Sequence, residues 1–524
     1  MASFIDDFRR NMLPLWRNYN DTFLAKELDF TGQKKLPVRF DRYGDFRIAW
    51  KNKHSIITAA DLVNAAVASG NKKRLDVINA AEFLLDHQEE CSPLAIDVAH
   101  SIVDFSDSSQ ISEVIKETSF EERADGLIKG LIDQETDTKA HIGLLRRQVH
   151  GHCNNPIAYC ELARCYANLG MDKKAERYMD YAVSLAPQSR YIVRSAARFY
   201  VHIKDFGKAK RVLIASGLVK FDPWVMSAEI AVESLMEKSS HYITIGRQLV
   251  LSDNVSAFSS SELCFAICNE DKKSGRRKDA RKMYDRGILD PNDNSLAQAE
   301  FFAKDDANLN IDLSLYHNIN HKNEAETRKS FSQGKYEEAF ISSMMWMQDY
   351  RFEHRPIDFA FNISCDYLKR YDYAIAIVQR YLKSSPNDPA AVNNLAYALG
   401  LSDRIEEAET VLSKIEIKVS QTGDNTNGIC LIATCGLIEF RKGNIESGRD
   451  LYNKAITIAK RRGDKKLSAK ARLNMIREEI YSADDIDENL LKEMEQLDTG
   501  NRAETEQLKG DILAEVEKKK EKKK

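Results

Sequence analysis

The sequence predicts an all-α protein built from repeated helical hairpins. Its 524 residues include only 10 prolines and 23 glycines. β-Sandwiches and β-barrels need many turns rich in these two residues, so the composition argues against both classes. Small residues recur at helical spacing with aromatic residues between them, and the arrangement returns 34 residues further along the chain. A chain of this length exceeds one ordinary core, which favours a repeating array.

The hairpin is clearest in residues 154–187, NNPIAYCELARCYANLGMDKKAERYMDYAVSLAP. Helical periodicity runs through two blocks and is interrupted at NLGMDK, where the glycine indicates a turn. Two helices approach closely only where side chains are small, so Ala163, Ala175 and Ala182 are expected to form the seam between them. Such a hairpin leaves apolar faces uncovered and needs neighbouring hairpins.

The same frame fits further stretches, which begin at residues 190, 261, 320, 355, 389 and 429, with a degenerate copy from 221. The pattern resembles the tetratricopeptide repeat (TPR) family. At the eight marked positions of that pattern the first frame has Tyr159, Leu162, Ala163, Tyr166, Ala175, Met179, Ala182 and Pro187. The resemblance covers roughly residues 154–462. It implies an α-solenoid whose stacked hairpins form a right-handed superhelix with a concave groove.

The organisation predicted along the chain has six parts. Residues 1–55 form a cap, in which the alternating stretch LPVRFDRYGDFRIAWK predicts a short β-hairpin about Tyr43-Gly44 or an extended cap. Residues 56–150 are diverged helical repeats, 151–294 a first TPR array, and 320–462 a second. The polar stretch 295–319 is predicted as an irregular, hinge-like connection. Residues 463–524 are predicted as capping helices and a solvated Lys-rich tail.

Composition indicates a cytoplasmic protein. Hydrophobic residues make up 43% and charged residues 30%, and no run approaches the roughly 18 apolar residues of a membrane span. The first residues lack the basic and apolar regions of a secretory signal. Nine scattered cysteines favour a reducing compartment. A net charge of −3 gives no basic footprint for nucleic acid, which makes RNA binding by a helical solenoid the weaker reading.

The motifs that would indicate an enzyme are missing from the sequence. It has no phosphate-binding glycine loop, G-x-S-x-G, H-E-x-x-H or C-x-x-C pattern, and residues 1–55 are too few to build a site unaided. The nearest approach to a metal cluster is HGHC at 150–153, followed by Cys160 and Cys165. These two cysteines are about 140° apart around a helix and do not converge. We therefore expect a non-enzymatic protein with neither metal nor cofactor.

The TPR resemblance implies which side chains line the groove. In the first array these are Arg164, Asn168, Arg194, Arg198 and His202; in the second array they are Phe359, Tyr367, Asn393 and Tyr397. Arginines on adjacent helices suit a carboxylate, a phosphate or an acidic peptide. Pairing with internal acids such as Glu229 and Glu233 is the alternative. The later lining is more aromatic and suits a helix or peptide with apolar anchors.

The sequence thus favours a scaffold or adaptor that holds a partner protein or peptide in the groove. The alternative is a regulatory sensor subunit that recognises a peptide or anionic ligand and controls a separate effector, for example in stress or defence. Self-association is also open, with Trp16 in MLPLWRNY as a candidate contact.

Overall fold

The structure is a computed structural model. It describes residues 10–19, 42–69, 75–92, 95–96, 98–100, 102–103, 119–151, 153–252, 255–304, 306, 309, 311–319, 321–351, 353–413, 425–483, 487–498 and 503–522. The chain divides into two compact units. One comprises residues 22–125, and the other comprises residues 1–21 together with 126–524.

The described residues of the smaller unit include the helices α1 (Arg42–Asn52), α2 (Ile56–Ser69) and α3 (Leu75–Asp86). Helix α2 packs against both of the others. Its apolar stripe is buried around Leu62 and Ala66, in a core that also contains Trp50 and Val77. The predicted β-hairpin about Tyr43-Gly44 is not supported, because residues 42–52 are helical; residues 20–41 lie outside the described residues.

Paired helices make up the larger unit. It begins within α4 (Phe120–Gly151) and continues through α5 (Pro156–Asn168), α6 (Asp172–Leu185), α7 (Arg190–His202), α8 (Phe206–Ala215), α9 (Pro223–Leu235), α10 (Tyr242–Leu251), α11 (Ala257–Lys273) and α12 (Arg277–Gly287). It then comprises α13 (Asp293–Ala303), α14 (Asn323–Ser332), α15 (Tyr336–Asp349), α16 (Arg355–Asn362), α17 (Tyr371–Ser384), α18 (Pro389–Leu401), α19 (Ile405–Ser413), α20 (Thr426–Arg441) and α21 (Ile445–Arg461). Helices α22 (Lys465–Ser482), α23 (Glu488–Gln496) and α24 (Ala503–Lys522) complete it.

In several hairpins, a side-chain cap fixes the residue at which the first helix begins. Asn155, Asp222 and Asp388 each accept hydrogen bonds from two backbone N–H groups of the helix that follows. A proline stands at the first helical position in all three, where a missing N–H is harmless. Each cap contributes about 1 kcal/mol. These Asx-Pro pairs recur at the starts of hairpins, so the beginning of the repeat is encoded locally.

The seam expected from the small residues is present. Helices α5 and α6 pack directly against each other. Ala163, Ala175 and Ala182 are completely buried there, and the rings of Tyr166 and Tyr178 are stacked 5.4 Å apart. The chain is therefore an all-α protein of stacked helical hairpins, as the repeats predicted.

Hairpins distant in the sequence are also in contact. A Cβ atom placed on Gly170, in the α5–α6 turn, would lie 1.9 Å from the backbone oxygen of Ser384, at the end of α17. Arg380 of α17 donates a hydrogen bond to the Leu131 carbonyl oxygen of α4 at 3.0 Å. The first and later hairpins of this unit therefore pack against each other directly.

The polar connection predicted over residues 295–319 is shorter than expected. Helix α13 occupies Asp293–Ala303, and Leu313–Asn318 form a 3₁₀ helix. The side chain of Asn292 caps α13 by accepting from the Ser295 N–H group. Polar residues of α13 such as Gln298 are buried, and this burial explains why a polar stretch is helical here.

The basic residues near the C-terminal end are only partly solvated. Helices α22 and α24 share an apolar cluster that includes Ile476, Ile480, Ile512 and Val516. Lys519 donates hydrogen bonds to three carbonyl oxygens at the end of α22, those of residues 480, 481 and 483. A lysine at a helix C-terminus is favourable, and this one joins α24 to α22. Among the residues that the structure describes, every helix is too short or too polar to cross a membrane.

Candidate functional site

Two of the predicted groove arginines are buried and paired inside the chain. Arg194 of α7 donates to Glu262 Oε2 at 2.8 Å and to the backbone oxygen of Trp224. Arg198, one turn further on, forms an ion pair with Glu353 at 3.2 Å. The side chains of both arginines are less than one-tenth exposed. Their acids differ from the pair anticipated from the sequence, and these two arginines hold separate hairpins together.

Of the remaining first-array residues, Arg164 and His202 are more accessible, whereas Asn168 is buried. Arg164 contacts Glu161 Oε2 through two nitrogens, at 2.6 and 3.0 Å. His202 lies 3.5 Å from an Asp172 oxygen. The amide oxygen of Asn168 is buried and has no hydrogen-bond partner among the described residues. Arg164 and Asn168 line one open cleft, whereas His202 does not belong to it.

The four predicted residues of the second array lie in contacts between hairpins. Phe359 and Tyr367 are buried beside the ring of Phe331. Asn393 accepts a hydrogen bond from the Thr434 hydroxyl at 2.8 Å. The Tyr397 hydroxyl donates to Asn474 Oδ1 of α22 at 3.1 Å. All four are less than one-tenth exposed, so in this structure they present little surface to a partner.

Residues 10–19, which we call the groove segment, lie against α5, α7, α13 and α14. We call this surface of the four helices the inner groove. Residues 10–18 are neither helical nor paired as a strand, and burial alternates: Arg10, Met12, Pro14 and Trp16 are buried while the residues between them are half-buried. Trp16 is completely buried, with its ring edge-on to Phe199 at 5.7 Å. The candidate self-association contact is therefore covered by the chain itself.

Arg10 is the most fully bonded residue of the groove segment. Its Nε and Nη2 donate to the two carboxylate oxygens of Glu324, at 2.8 and 3.0 Å. Its other hydrogen bonds reach the amide oxygens of Asn294, at 2.8 Å, and Gln298, at 2.9 Å. Burial alone would raise the pKa of Glu324, but three surrounding guanidinium groups hold that pKa well below its usual range.

The backbone and second arginine of the groove segment are also held. Asn294 donates its side-chain N–H to the Leu13 carbonyl oxygen at 3.0 Å. The Tyr191 hydroxyl donates to the carbonyl oxygen of Arg17 at 3.0 Å. The Arg17 guanidinium forms a buried ion pair with Asp293. The surrounding helices therefore bind both the main chain and the side chains of the groove segment.

An open polar cleft of about 410 Å³ lies beside the end of this segment. Its lining includes the arginines Arg17, Arg164 and Arg351, the polar Thr138 and Asn168, and the acids Asp137 and Asp349. These residues come from the groove segment, α4, α5, α15 and the turn after α15. The cleft therefore contains two of the predicted groove residues, together with an arginine that the repeat frame did not select.

Arg351 differs from the other arginines of the cleft in having no acidic partner within ion-pair distance among the residues described. Among the described residues, its one side-chain hydrogen bond is to the Thr138 hydroxyl, at 3.2 Å. Burial, reinforced by the positive charges of Arg164 and Arg380, lowers the pKa of Arg351, and the charge of Asp137 opposes this only in part. An anion bound beside this guanidinium would relieve that repulsion.

In the part of the chain that the structure describes, no three histidine, cysteine or acidic side chains come together as metal ligands. Cys160 and Cys165 are buried thiols; burial, the largest cause, raises the pKa of Cys160 to about 12 and that of Cys165 to about 11. His152 lies outside the described residues.

Comparison with known proteins gives only distant likenesses. No family model matches the chain, and no curated protein matches it in sequence. A structure of the APC/C hetero-tetramer Cut9–Hcn1 is 11% identical, with 90% of this chain and 92% of that chain covered and a TM-score of 0.39. Yeast Tom70 is 13% identical (77% and 97% covered, TM-score 0.30), and Naa15/Naa10 bound to HypK-THB is 11% identical (88% and 88%, TM-score 0.21). At TM-scores this low the likenesses support no further argument, so the fold rests on the hairpins themselves.

Sequence reasoning missed Arg351 and the acids of the inner groove. Arg351 follows the second helix of a hairpin, outside the positions that a repeat frame assigns to the groove. Glu324 was passed over because its partner Arg10 is 314 residues away in the sequence. Residues 10–16 read RNMLPLW, an apolar run without period-two alternation, so the alternating burial of this segment had no local signal in the sequence.

Proposed function

We propose that the chain is a non-enzymatic interaction scaffold, and that it binds an acidic segment of a partner protein in the Arg351 cleft. Stacked helical hairpins provide a rigid frame for such a surface. The observation that carries the proposal is the half-buried Arg351, whose charge no acid of the described chain neutralises at ion-pair distance.

The chemistry of the cleft suits a carboxylate. A guanidinium group carries five N–H donors, and Arg351 uses one in its bond to Thr138. The others are available to a planar oxyanion, which arginine binds in a bidentate manner. Asn168 adds a buried amide whose oxygen meets no hydrogen-bond donor in the part of the chain that the structure describes. Arg164 supplies a second positive charge, already balanced by Glu161.

The size of the cleft also leaves room for the sensor alternative. A volume of about 410 Å³ falls within the range of small-molecule sites, roughly 300–1,000 Å³. A small anion would meet the same Arg351 and Asn168. The two proposals differ in whether neighbouring residues of a peptide add affinity beyond the bound oxyanion.

The test measures binding of a fluorescein-labelled glutamate-rich peptide by anisotropy, with inorganic phosphate as competitor. Wild type is expected to bind the peptide, and R351A to bind it roughly 10- to 100-fold more weakly, since a hydrogen bond to a charged group contributes about 1.5–3 kcal/mol. Raising the salt concentration should weaken the wild-type complex. Phosphate that competes fully at equal concentration would favour the sensor.

The matched control is R147A, because Arg147 is an exposed arginine of α4 that donates a hydrogen bond to the Gly143 backbone oxygen of its own helix. R147A should bind as wild type does. Equal binding by wild type and R351A, or an equal loss in R147A, would contradict the proposal. A partner captured from the native host with wild-type bait should likewise be lost with R351A bait.

A further inference from the structure

We infer that the inner groove is a binding site for an extended segment carrying two arginines on either side of buried apolar residues, and that residues 10–19 are its resident occupant. A partner protein that presents a segment of the same chemistry enters by displacing them. The inner groove and the Arg351 cleft differ in the charge of the ligand they bind. The inner groove binds a basic segment, whereas the Arg351 cleft binds an acidic one.

The groove segment has the geometry of a bound peptide. Its alternating burial is typical of extended backbone, in which successive side chains point to opposite sides. The alternation runs from residue 10 to residue 16, and seven extended residues span roughly 23 Å. At one end the Tyr19 N–H group donates to Glu161 of α5 at 3.1 Å, and at the other end Arg10 bonds to Glu324 of α14. One short segment therefore crosses several hairpins.

The charges of the inner groove complement those of the segment. Three carboxylates of the groove, those of Glu161, Asp293 and Glu324, contact it, and each of these residues is less than one-tenth exposed. Two of them pair with the segment's arginines. Between the arginines, Trp16 fills an apolar position against Phe199. A competing segment needs the same two positive charges and a large apolar residue between them.

The inner groove keeps most of its own charge balance without the segment. Glu324 retains hydrogen bonds from Arg328 and Arg355 when Arg10 leaves. Glu161 retains that from Arg164, and the single proton of the Tyr191 hydroxyl, shared with the Arg17 carbonyl oxygen while the segment is bound, can then bond to Glu161 alone. A carboxylate left buried without a partner would oppose release of the segment. Because two of the three acids keep partners, the vacated groove remains a formed acceptor for another segment.

Covalent attachment explains why residues 10–19 are the resident occupant. A tethered ligand acts at an effective concentration on the order of millimolar, so a free peptide of equal intrinsic affinity competes poorly. Weakening the anchors of the tethered copy should therefore expose the groove to a peptide in solution.

The experiment uses full-length protein and a fluorescein-labelled peptide, RNMLPLWRNY, which has the sequence of residues 10–19. The variant R10A/W16A removes both main anchors and leaves every groove side chain intact. Folded R10A/W16A is expected to bind the peptide at least tenfold more tightly than wild type does. A peptide with the same two alanines should not bind.

The matched control variant is R147A/Y181A, which removes an exposed arginine and an exposed tyrosine away from the groove. It should behave as wild type. Failure of folded R10A/W16A to bind the peptide would overturn the inference and leave the Arg351 proposal standing. Loss of glutamate-rich peptide binding in R351A is independent of this result.

A second measurement decides the question if R10A/W16A does not fold. Met12 is 1% exposed, so in M12C the new thiol should react slowly with a thiol reagent, with its rate read by mass spectrometry. RNMLPLWRNY peptide added above the effective concentration of the tethered segment, which is on the order of millimolar, should speed labelling at position 12 at least fivefold, because displacement exposes the thiol. An unchanged rate would show that the segment is a permanent part of the core.

Discussion

The contact between the α5–α6 turn and the end of α17 can be tested by adding one carbon atom. Gly170 has φ of +68°, and a Cβ there would meet the Ser384 oxygen at 1.9 Å. The two backbones would have to separate by about 1 Å to admit G170A. Gly275 occupies the equivalent turn between α11 and α12 with φ of +72°, and no atom lies within 4 Å of its Cβ position. Both G170A and G275A place alanine at a positive φ and so share the same backbone strain. Only G170A adds a steric clash with another hairpin.

The magnitudes follow from this comparison. Alanine in the left-handed region costs about 1–2 kcal/mol, and this is the whole effect expected for G275A. Overpacking against a backbone atom adds about 1–3 kcal/mol, so G170A should lose about 2–5 kcal/mol. A repeat array need not unfold in one step, which makes a local readout preferable to a single global midpoint.

Hydrogen–deuterium exchange provides that readout. G170A should speed amide exchange both around its own turn and at the end of α17 near Ser384, 214 residues away in the sequence. G275A should affect only its own hairpin. Thermal unfolding of both variants gives the ranking of stability. If the two variants lose equal stability, or if exchange at the end of α17 does not change in G170A, the packing of early against later hairpins is wrong.

Two further predictions concern charge and packing. Although burial acts to raise it, two arginines lower the pKa of Glu353 to about 2, so the stabilisation is complete above the usual glutamate range and is lost as the pH falls through 2. Thermal midpoints of wild type and E353Q measured from pH 7 to pH 3 should therefore converge in acid, and parallel curves would contradict the pairing. Ala175 is completely buried, so A175L should cost about 1–3 kcal/mol by overpacking, measured by thermal unfolding against the exposed control K173L, which should be nearly neutral.

Local periodicity was enough to predict the hairpins because their signals lie within a few residues. The first helices begin at Pro156, Arg190 and Pro389, within a residue or two of the predicted frames. The identity of the residue that adopts a positive φ in the turn of each hairpin was harder to predict. Glycine occupies it at 170, but Lys204 and Asp403 adopt positive φ at equivalent turns. A search for glycine alone would have missed those two hairpins.

The candidate site depended on contacts that no local pattern contains. Arg194 and Arg198 stand at groove positions of the repeat, yet their acids lie 68 and 155 residues away. The charge of a side chain was visible in the sequence, whereas the acid that neutralises it was not. Whether these arginines ever contact a partner stays a prediction. The β-hairpin predicted about Tyr43-Gly44 was wrong although its signal was local. Residues 42–52 form a helix, so helix formation outweighed the alternating pattern.

The distance in sequence between Arg10 and Glu324 has a consequence for synthesis. A ribosome that adds about 5–20 residues per second takes roughly 15–60 s to make the 314 residues that separate them. Throughout that time Arg10 has been made but Glu324, its carboxylate partner, has not. The N-terminal anchor of the groove segment can therefore form only after translation has passed residue 324.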